Sequence, residues 1–289
     1  MEASCKLLPD RLKELWNSVL LKHLTSDEFS AEQKFLMDAY RRTWTRALLL
    51  EGASSLSDSL YAELGRYSGC TDLQTVRNLC TKALESVRKE WEDQQASEST
   101  QAVEQFYDET QAMMYELMHW HTLAEDDSPL AYVLALRFAE QHGCTRCLDF
   151  GAGVGSGAIL FAKHGMEVTL ADISSSMLQF SRWRMELRSL SARYVDLKTG
   201  QLPDDTFTMV SAMDVFEHLV DPVSTVDAIW KAMKRGGILF GRFHAEQDAD
   251  RPQHIVQDFE PTMKRLGELG FIEIWRDEWL WGHQAFRKL

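Results

Sequence analysis

Cys147-Leu-Asp-Phe-Gly-Ala-Gly-Val-Gly-Ser-Gly157, followed by Val168-Thr-Leu-Ala-Asp172, decides how this 289-residue chain is read. A short apolar run enters a glycine-dense turn, the turn opens a helical pattern, and a second apolar run ends in an acid. Glycines lacking a Cβ let a backbone turn sharply and approach a ligand closely. An acid at the tip of the next strand can accept two hydrogen bonds from ribose hydroxyls. The pattern is that of a site for an adenosine-bearing cofactor on an α/β fold.

Two cofactors compete for the loop. Gly153-x-Gly155-x-x-Ala158 fits a dinucleotide fingerprint, with Asp172 lying 17 residues past Gly155. Asp149, two residues before the first glycine, argues against it, because a carboxylate facing a pyrophosphate adds like-charge repulsion. The same carboxylate suits S-adenosylmethionine, which carries a cationic sulfur, an ammonium group and no phosphate. Asp149-x-Gly151-x-Gly153-x-Gly155 resembles the first motif of class I S-adenosylmethionine-dependent methyltransferases.

The resemblance extends over residues 104–289. Tyr194-Val-Asp196-Leu is similar to the third-strand segment of that family, Phe207 to His218 to its fourth strand and following turn, and Lys234-Arg-Gly-Gly-Ile-Leu-Phe240 to its fifth strand. Phe271–Trp275 and Gly282–Phe286 read as a closing antiparallel pair. The fold implied is a seven-stranded, mostly parallel Rossmann-like sheet with a terminal antiparallel strand. The resemblance places the cofactor's methionine part on Gly151, Gly153 and Gly155, its ammonium side near Asp149, and its ribose on Asp172 with Ile173 against the adenine. It places the adenine amino group on Asp196, with Val195 or Leu197 beside the ring, and the sulfonium by Met213 and Asp214. Helix-capping duty would explain any one of Asp149, Asp172, Asp196 and Asp214. It explains poorly why all four fall at the ends of successive predicted strands, the edge where such sheets bind ligands.

Met213-Asp-Val-Phe-Glu-His218 also resembles a segment of ubiquinone-pathway O-methyltransferases in which acids and a histidine hold a divalent metal. Asp214, Glu217 and His218 are the matching candidates, with aspartate one methylene shorter than the family's first glutamate. His218 is alternatively a general base, or a helix-start residue beside the cofactor. Tyr107, on an aromatic-rich helix running from Val103 to His121, is expected to lie over the cofactor. His119 and His121 are spaced i, i+2 and so point apart on a helix. His244 and His254 follow the fifth strand, where either could touch an acceptor, and Trp275, Trp279 and Trp281 read as core.

Residues 1–100 read as helices and form an accessory domain, with polar 94–100 as the boundary and 101–289 as the catalytic domain. Leu12, Leu15, Trp16, Val19 and Leu20 mark one apolar face. Ser30-Ala-Glu-Gln33 looks like a capping box opening a helix through Leu48. Thr71-Asp-Leu-Gln74 looks like another, opening a helix that carries Leu73, Val76, Leu79, Cys80, Val87 and Trp91. Three roles stay open for this domain: pairing two copies as a homodimer, capping the substrate pocket, or docking a partner.

Composition narrows the rest. A net charge of −13 lacks the basic footprint of a nucleic-acid binder and disfavours anionic membranes. No apolar run is long enough to span a bilayer, and no signal peptide is evident. Five cysteines without framework spacing fit reduced thiols in a cytoplasm, and Cys144-Thr-Arg-Cys147 lacks a second pair to complete a zinc site. The expected activity is methyl transfer from S-adenosylmethionine to a small-molecule oxygen, nitrogen or carbon. The rivals are methylation of a protein or peptide, a non-catalytic cofactor-binding module, and a dehydrogenase.

Overall fold

The computed structural model describes residues 7–245, 250–277 and 280–289; Trp279 lies outside them. Nine α-helices precede the first strand among the described residues. They are α1 (Asp10–Leu20), α2 (Ser26–Leu36), α3 (Asp38–Leu48), α4 (Leu56–Ser68), α5 (Leu73–Thr81), α6 (Ala83–Asp93), α7 (Thr100–Glu109), α8 (Ala112–Trp120) and α9 (Ala131–Gln141). The sheet unit follows as β1 (Arg146–Phe150), α10 (Ser156–Lys163), β2 (Glu167–Asp172), α11 (Ser175–Leu187), β3 (Arg193–Asp196) and β4 (Phe207–Ala212). It continues as α12 (Pro222–Ala232), β5 (Met233–Arg242), α13 (Glu260–Glu268), β6 (Phe271–Arg276) and β7 (His283–Lys288).

The strand order is β3-β2-β1-β4-β5-β7-β6, with β7 antiparallel to both of its neighbours and the other pairings parallel. The expected seven-stranded sheet is present. Between β1 and β4 the order reverses direction, which opens a crevice outside the carboxyl ends of the strands. Asp172 and Asp196 are register partners at that edge.

Local chemistry moved several helix boundaries. Thr25, not Ser30, starts α2: its hydroxyl accepts from the Glu28 N–H at 3.3 Å, and the Glu28 carboxylate accepts from the Thr25 N–H at 2.9 Å. The single helix expected through Leu48 breaks at Met37, whose side chain is fully buried at the turn. Asp72, not Thr71, caps α5, accepting from the Gln74 and Thr75 N–H groups. The helix beyond it is interrupted at Lys82, and Leu73 and Leu79 face outward. The helix expected from Val103 to His121 is two. Glu90 on α6 holds the break, accepting from the Thr110 hydroxyl at 2.6 Å and the Ala112 N–H at 3.4 Å.

One apolar core runs from Leu12, Trp44 and Trp91 through α9 to Cys147, Ile159 and Met209. A second covers the other sheet face with Leu148, Val210, Ile229 and Leu239. The N-terminal helices therefore pack on the same core as one face of the sheet. Cys144 and Cys147 are buried free thiols, and burial pushes the Cys144 thiol up to about 11, so neither is poised for redox chemistry. No helix among the described residues is long and apolar enough to cross a membrane.

Candidate active site

The turn after β1 is shaped by left-handed backbone that only glycine adopts freely. Gly151 has φ +66°, and a Cβ there would lie 2.6 Å from a Val215 methyl; Gly153 has φ +49° and would meet Leu117 of α8 at 2.9 Å. The Gly153 N–H donates to one Asp172 carboxylate oxygen at 2.7 Å, and the Ser174 N–H to the other at 2.9 Å. Burial raises the Asp172 pKa, and these backbone donors counter it. Asp172 thus ties the loop to the tip of β2 while facing the crevice.

The crevice is one cavity of about 1840 Å³. Its floor includes Gly151, Gly153, Asp172, Ile173, Leu197, Met213 and Asp214, and Tyr107 and His218 also line it. Part of its wall comes from the N-terminal helices: Trp16 and Phe29, edge to face at 5.4 Å, together with Gln33, Lys34, Glu116 and Trp120. Most of the expected ligand-facing residues thus meet in one space.

Four of them do not reach it. Gly155, Val195 and Asp196 are absent from the cavity wall; Asp196 accepts from the Ser175 hydroxyl at 3.0 Å and the Lys198 N–H at 2.9 Å. Asp149 is the sharpest departure. It is 1% exposed, it lies below the loop against Gly157, and its carboxyl accepts from the Ala158 N–H. Burial pushes its pKa up to about 8, so the group is mostly protonated at neutral pH. A neutral, buried Asp149 neither repels a phosphate nor attracts an ammonium group, and the charge argument drawn from it does not hold. Alternate strand side chains face opposite sides, and this one faces the covering helices α9 and α10.

A further part of the cavity wall is built around His218. Its Nδ1 lies 2.9 Å from the Tyr107 hydroxyl and 3.0 Å from the Gln253 carbonyl oxygen. A carbonyl only accepts, so Nδ1 carries the proton and Nε2 presents its lone pair. Burial pushes the His218 pKa down to about 4, although the Gln253 bond and Asp214 pull the other way. Burial, then the charges of Glu217, Asp172 and Glu116, holds the Tyr107 hydroxyl well above its usual range. Both groups are neutral at pH 7. The His254 ring packs edge to face on His218 at 4.8 Å, and its Nδ1 is buried without a hydrogen-bond partner.

The metal candidates regroup. Ligand atoms of Glu217, His218 and His254 lie within 4.8 Å of one another, a nitrogen and oxygen donor set suited to a divalent transition ion. Asp214, in left-handed backbone at φ +46°, is instead held by Arg242 at 3.1 Å. His119 and His121 diverge as expected: His119 bonds the Tyr61 hydroxyl, while His121 packs among Trp44, Trp120 and Tyr132. His244 is exposed on the cavity wall. Trp275 is partly buried and stacks on Phe240, whereas Trp281 faces the cavity.

Sequence reasoning missed Trp16, Phe29, Leu117, and the Glu116–Arg251 pair at 3.1 Å that ties α8 to the segment after β5. The apolar stripe of α1 was visible, but nothing in it told that Trp16 faces a cavity.

A family model described as a methyltransferase domain matches residues 148–241. Phosphoethanolamine N-methyltransferase 2 of Caenorhabditis elegans is 28% identical over 152 residues, covering 48% of this chain and 35% of that protein. A ubiquinone biosynthesis O-methyltransferase of Paracidovorax citrulli is 30% identical over 139 residues, covering 45% of this chain and 58% of that protein. The chain thus spans less than two thirds of either relative. Among solved structures, Haemonchus contortus phosphoethanolamine N-methyltransferase 2 in complex with S-adenosyl-L-methionine aligns at 22% identity, with a TM-score of 0.47, over 59% of this chain and 44% of that one. Loop motif, strand order and family model agree: from residue 148 the chain carries a class I S-adenosylmethionine-dependent methyltransferase domain, preceded by an N-terminal helical region.

Proposed function

We propose that this chain transfers a methyl group from S-adenosylmethionine to a small-molecule acceptor seated between the sheet edge and the N-terminal helices. The carrying observation is one cavity of about 1840 Å³ lined both by the glycine loop with Asp172 and by the Tyr107–His218 pair. Single-ligand pockets run to roughly 1,000 Å³, so this one has room for a cofactor and an acceptor together. Two relatives named for small-molecule methylation, of phosphoethanolamine and in ubiquinone biosynthesis, support the acceptor class.

The residues present suit the cofactor. Asp172 would hold the ribose hydroxyls, Ile173 and Leu197 would flank the adenine, and the backbone of Gly151 and Gly153 would meet the methionine part. When bound, the cofactor supplies a methyl group on a positively charged sulfur, a leaving group that needs no acid. Alignment and exclusion of water then carry much of the rate. His218, neutral with Nε2 open, would take a proton from the acceptor, and the Gln253 carbonyl and Asp214 would stabilise the imidazolium formed. Tyr107 would fix the ring. Glu217, His218 and His254 favour a second reading, in which they hold a divalent cation beside the acceptor. Such an ion would lower the pKa of an acceptor hydroxyl.

Calorimetric titration with S-adenosylhomocysteine, with NADH as control, tests the proposal. Micromolar binding of the former alone supports it and sets up acceptor screens with labelled cofactor. Binding of NADH alone would move the chain to the dehydrogenases, and binding of neither would overturn the cofactor assignment.

A further inference from the structure

The glycine loop is held from behind by Arg184, which is itself held by a residue of the N-terminal helical region. Arg184 of α11 has a fully buried side chain, and its Nη1 donates to the Val154 carbonyl at 2.6 Å and to the Ser156 hydroxyl at 2.9 Å. Those two residues are the second half of the turn after β1 and the first residue of α10. The Arg184 Nε donates to Glu63 of α4 at 2.8 Å. Glu63, also fully buried, receives Arg188 through Nη2 at 2.7 Å and Nη1 at 2.9 Å, and Arg188 reaches on to the Leu48 carbonyl at 2.6 Å.

One carboxylate therefore serves two buried guanidinium groups. Burial raises the Glu63 pKa, but Arg184 and Arg188 more than reverse this, and the group stays ionised. The arrangement has an electrostatic cost that the Glu63 charge offsets. Arg184 puts a cation beside the first turn of α10, where the helix dipole disfavours positive charge. Removing one partner of a buried pair leaves an uncompensated charge, which is strongly unfavourable. Without the Glu63 charge, Arg184 has reason to leave Val154 and Ser156, and the loop loses its rear support. The face of the same loop lines the cavity at Gly151, Gly153 and Val154.

We propose that Glu63 is a positioning residue for the cofactor: through Arg184 it holds the glycine loop in its binding shape, so the helical region contributes to cofactor affinity without touching the cofactor. This rests on the reading of the cavity as a cofactor site. It also gives the helical region a task distinct from walling the acceptor.

The test uses the full chain and two readouts, S-adenosylhomocysteine affinity by calorimetry and amide hydrogen exchange across residues 151–159. Val87→Ala is the control, a cavity in the fully buried core of α6 that leaves the Glu63–Arg184 hydrogen bonds intact. Glu63→Gln is expected to weaken binding on the order of tenfold by depopulating the competent loop and to speed exchange in the loop. Val87→Ala is expected to lower thermal stability while leaving both readouts near those of the parent. Should Glu63→Gln not fold, Ser156→Ala severs one Arg184 contact, with a roughly threefold loss of affinity expected. Unchanged loop exchange in the folded variant, or equal loss of affinity in Val87→Ala, would overturn the proposal. If the parent itself does not bind S-adenosylhomocysteine, the cofactor reading fails, and loop exchange alone decides whether Glu63 holds the loop.

Discussion

The residues proposed for the cofactor end and for the acceptor end of the cavity are brought together by different means. The backbone frame of the proposed cofactor end is local: the turn after β1, the tip of β2 and the start of α11 lie within residues 149–177, and Asp172 joins them with two backbone donors, while Leu197 and Met213 arrive from the ends of later strands. The acceptor end is assembled from afar. Tyr107 meets His218 across 111 residues, Glu116 meets Arg251 across 135, and Trp16 comes from the first helix. The local end constrains a backbone shape, which many side chains can surround. The distant end constrains a chemical environment, which depends on what each arriving segment brings. Specificity for the acceptor can then vary while the cofactor end stays fixed.

The comparison breaks first, if it breaks, at His218. With an acceptor in hand, His218→Gln should lower kcat by about 10²- to 10⁴-fold while S-adenosylhomocysteine affinity falls far less, since the imidazole bonds Tyr107 and the Gln253 carbonyl rather than the glycine loop or Asp172. A joint collapse of both would show that the two ends are not separable. His254→Ala with a cobalt(II) titration sharpens the acceptor end. A metal centre loses the ion's absorption bands, whereas a simple base leaves nothing to lose.

Asp172→Ala is the reciprocal change. Losing charge-assisted contacts of about 2–3 kcal/mol should weaken S-adenosylhomocysteine on the order of 30- to 150-fold. Calorimetry showing unchanged affinity would remove the ribose assignment and with it the local character of that end.

Asp149→Asn should have the smallest effect on ligands and act on stability instead. The folded pKa, about 8, stands above the ordinary value of 3.8. The folded state therefore binds an extra proton between those values. The stability due to it is full below pH 4 and is lost as pH rises through 8. Asparagine keeps an acceptor for the Ala158 N–H and cannot ionise. The variant should match the parent near pH 3 and be more stable at pH 9 by an amount on the order of a few kcal/mol. Thermal melts at the two pH values check this; a parent whose melting point does not fall toward pH 9 contradicts a protonated Asp149.

How legible each part was follows from the same division. The glycine loop, the strand tips and the closing hairpin could be read because short-range sterics dictate them: positive φ at Gly151 and Gly153, alternation along strands, the acid ending β2. Asp149 was legible in position and not in direction, since the side of the sheet it faces depends on helices α9 and α10. The helix breaks at Met37, Lys82 and Thr110 escaped because the apolar period continues through them, and only a distant partner such as Glu90 shows the chain turning. His254 carried no local sign that it would stack on His218, which lies 36 residues earlier.

The strand order carries a last consequence, for how the molecule forms. β6 pairs with β7 and not with β5, so when β6 is made it has no neighbour to join, and its place in the sheet is settled only once β7 slides between. Lys288 on β7 then seals the joint, its ammonium group donating to the Trp230 and Met233 carbonyls at 2.7 Å each. Pairing of this kind, between segments far apart along the chain, is slow relative to local structure. Closure of the β5–β7 seam is therefore expected to be slow relative to the β6–β7 hairpin.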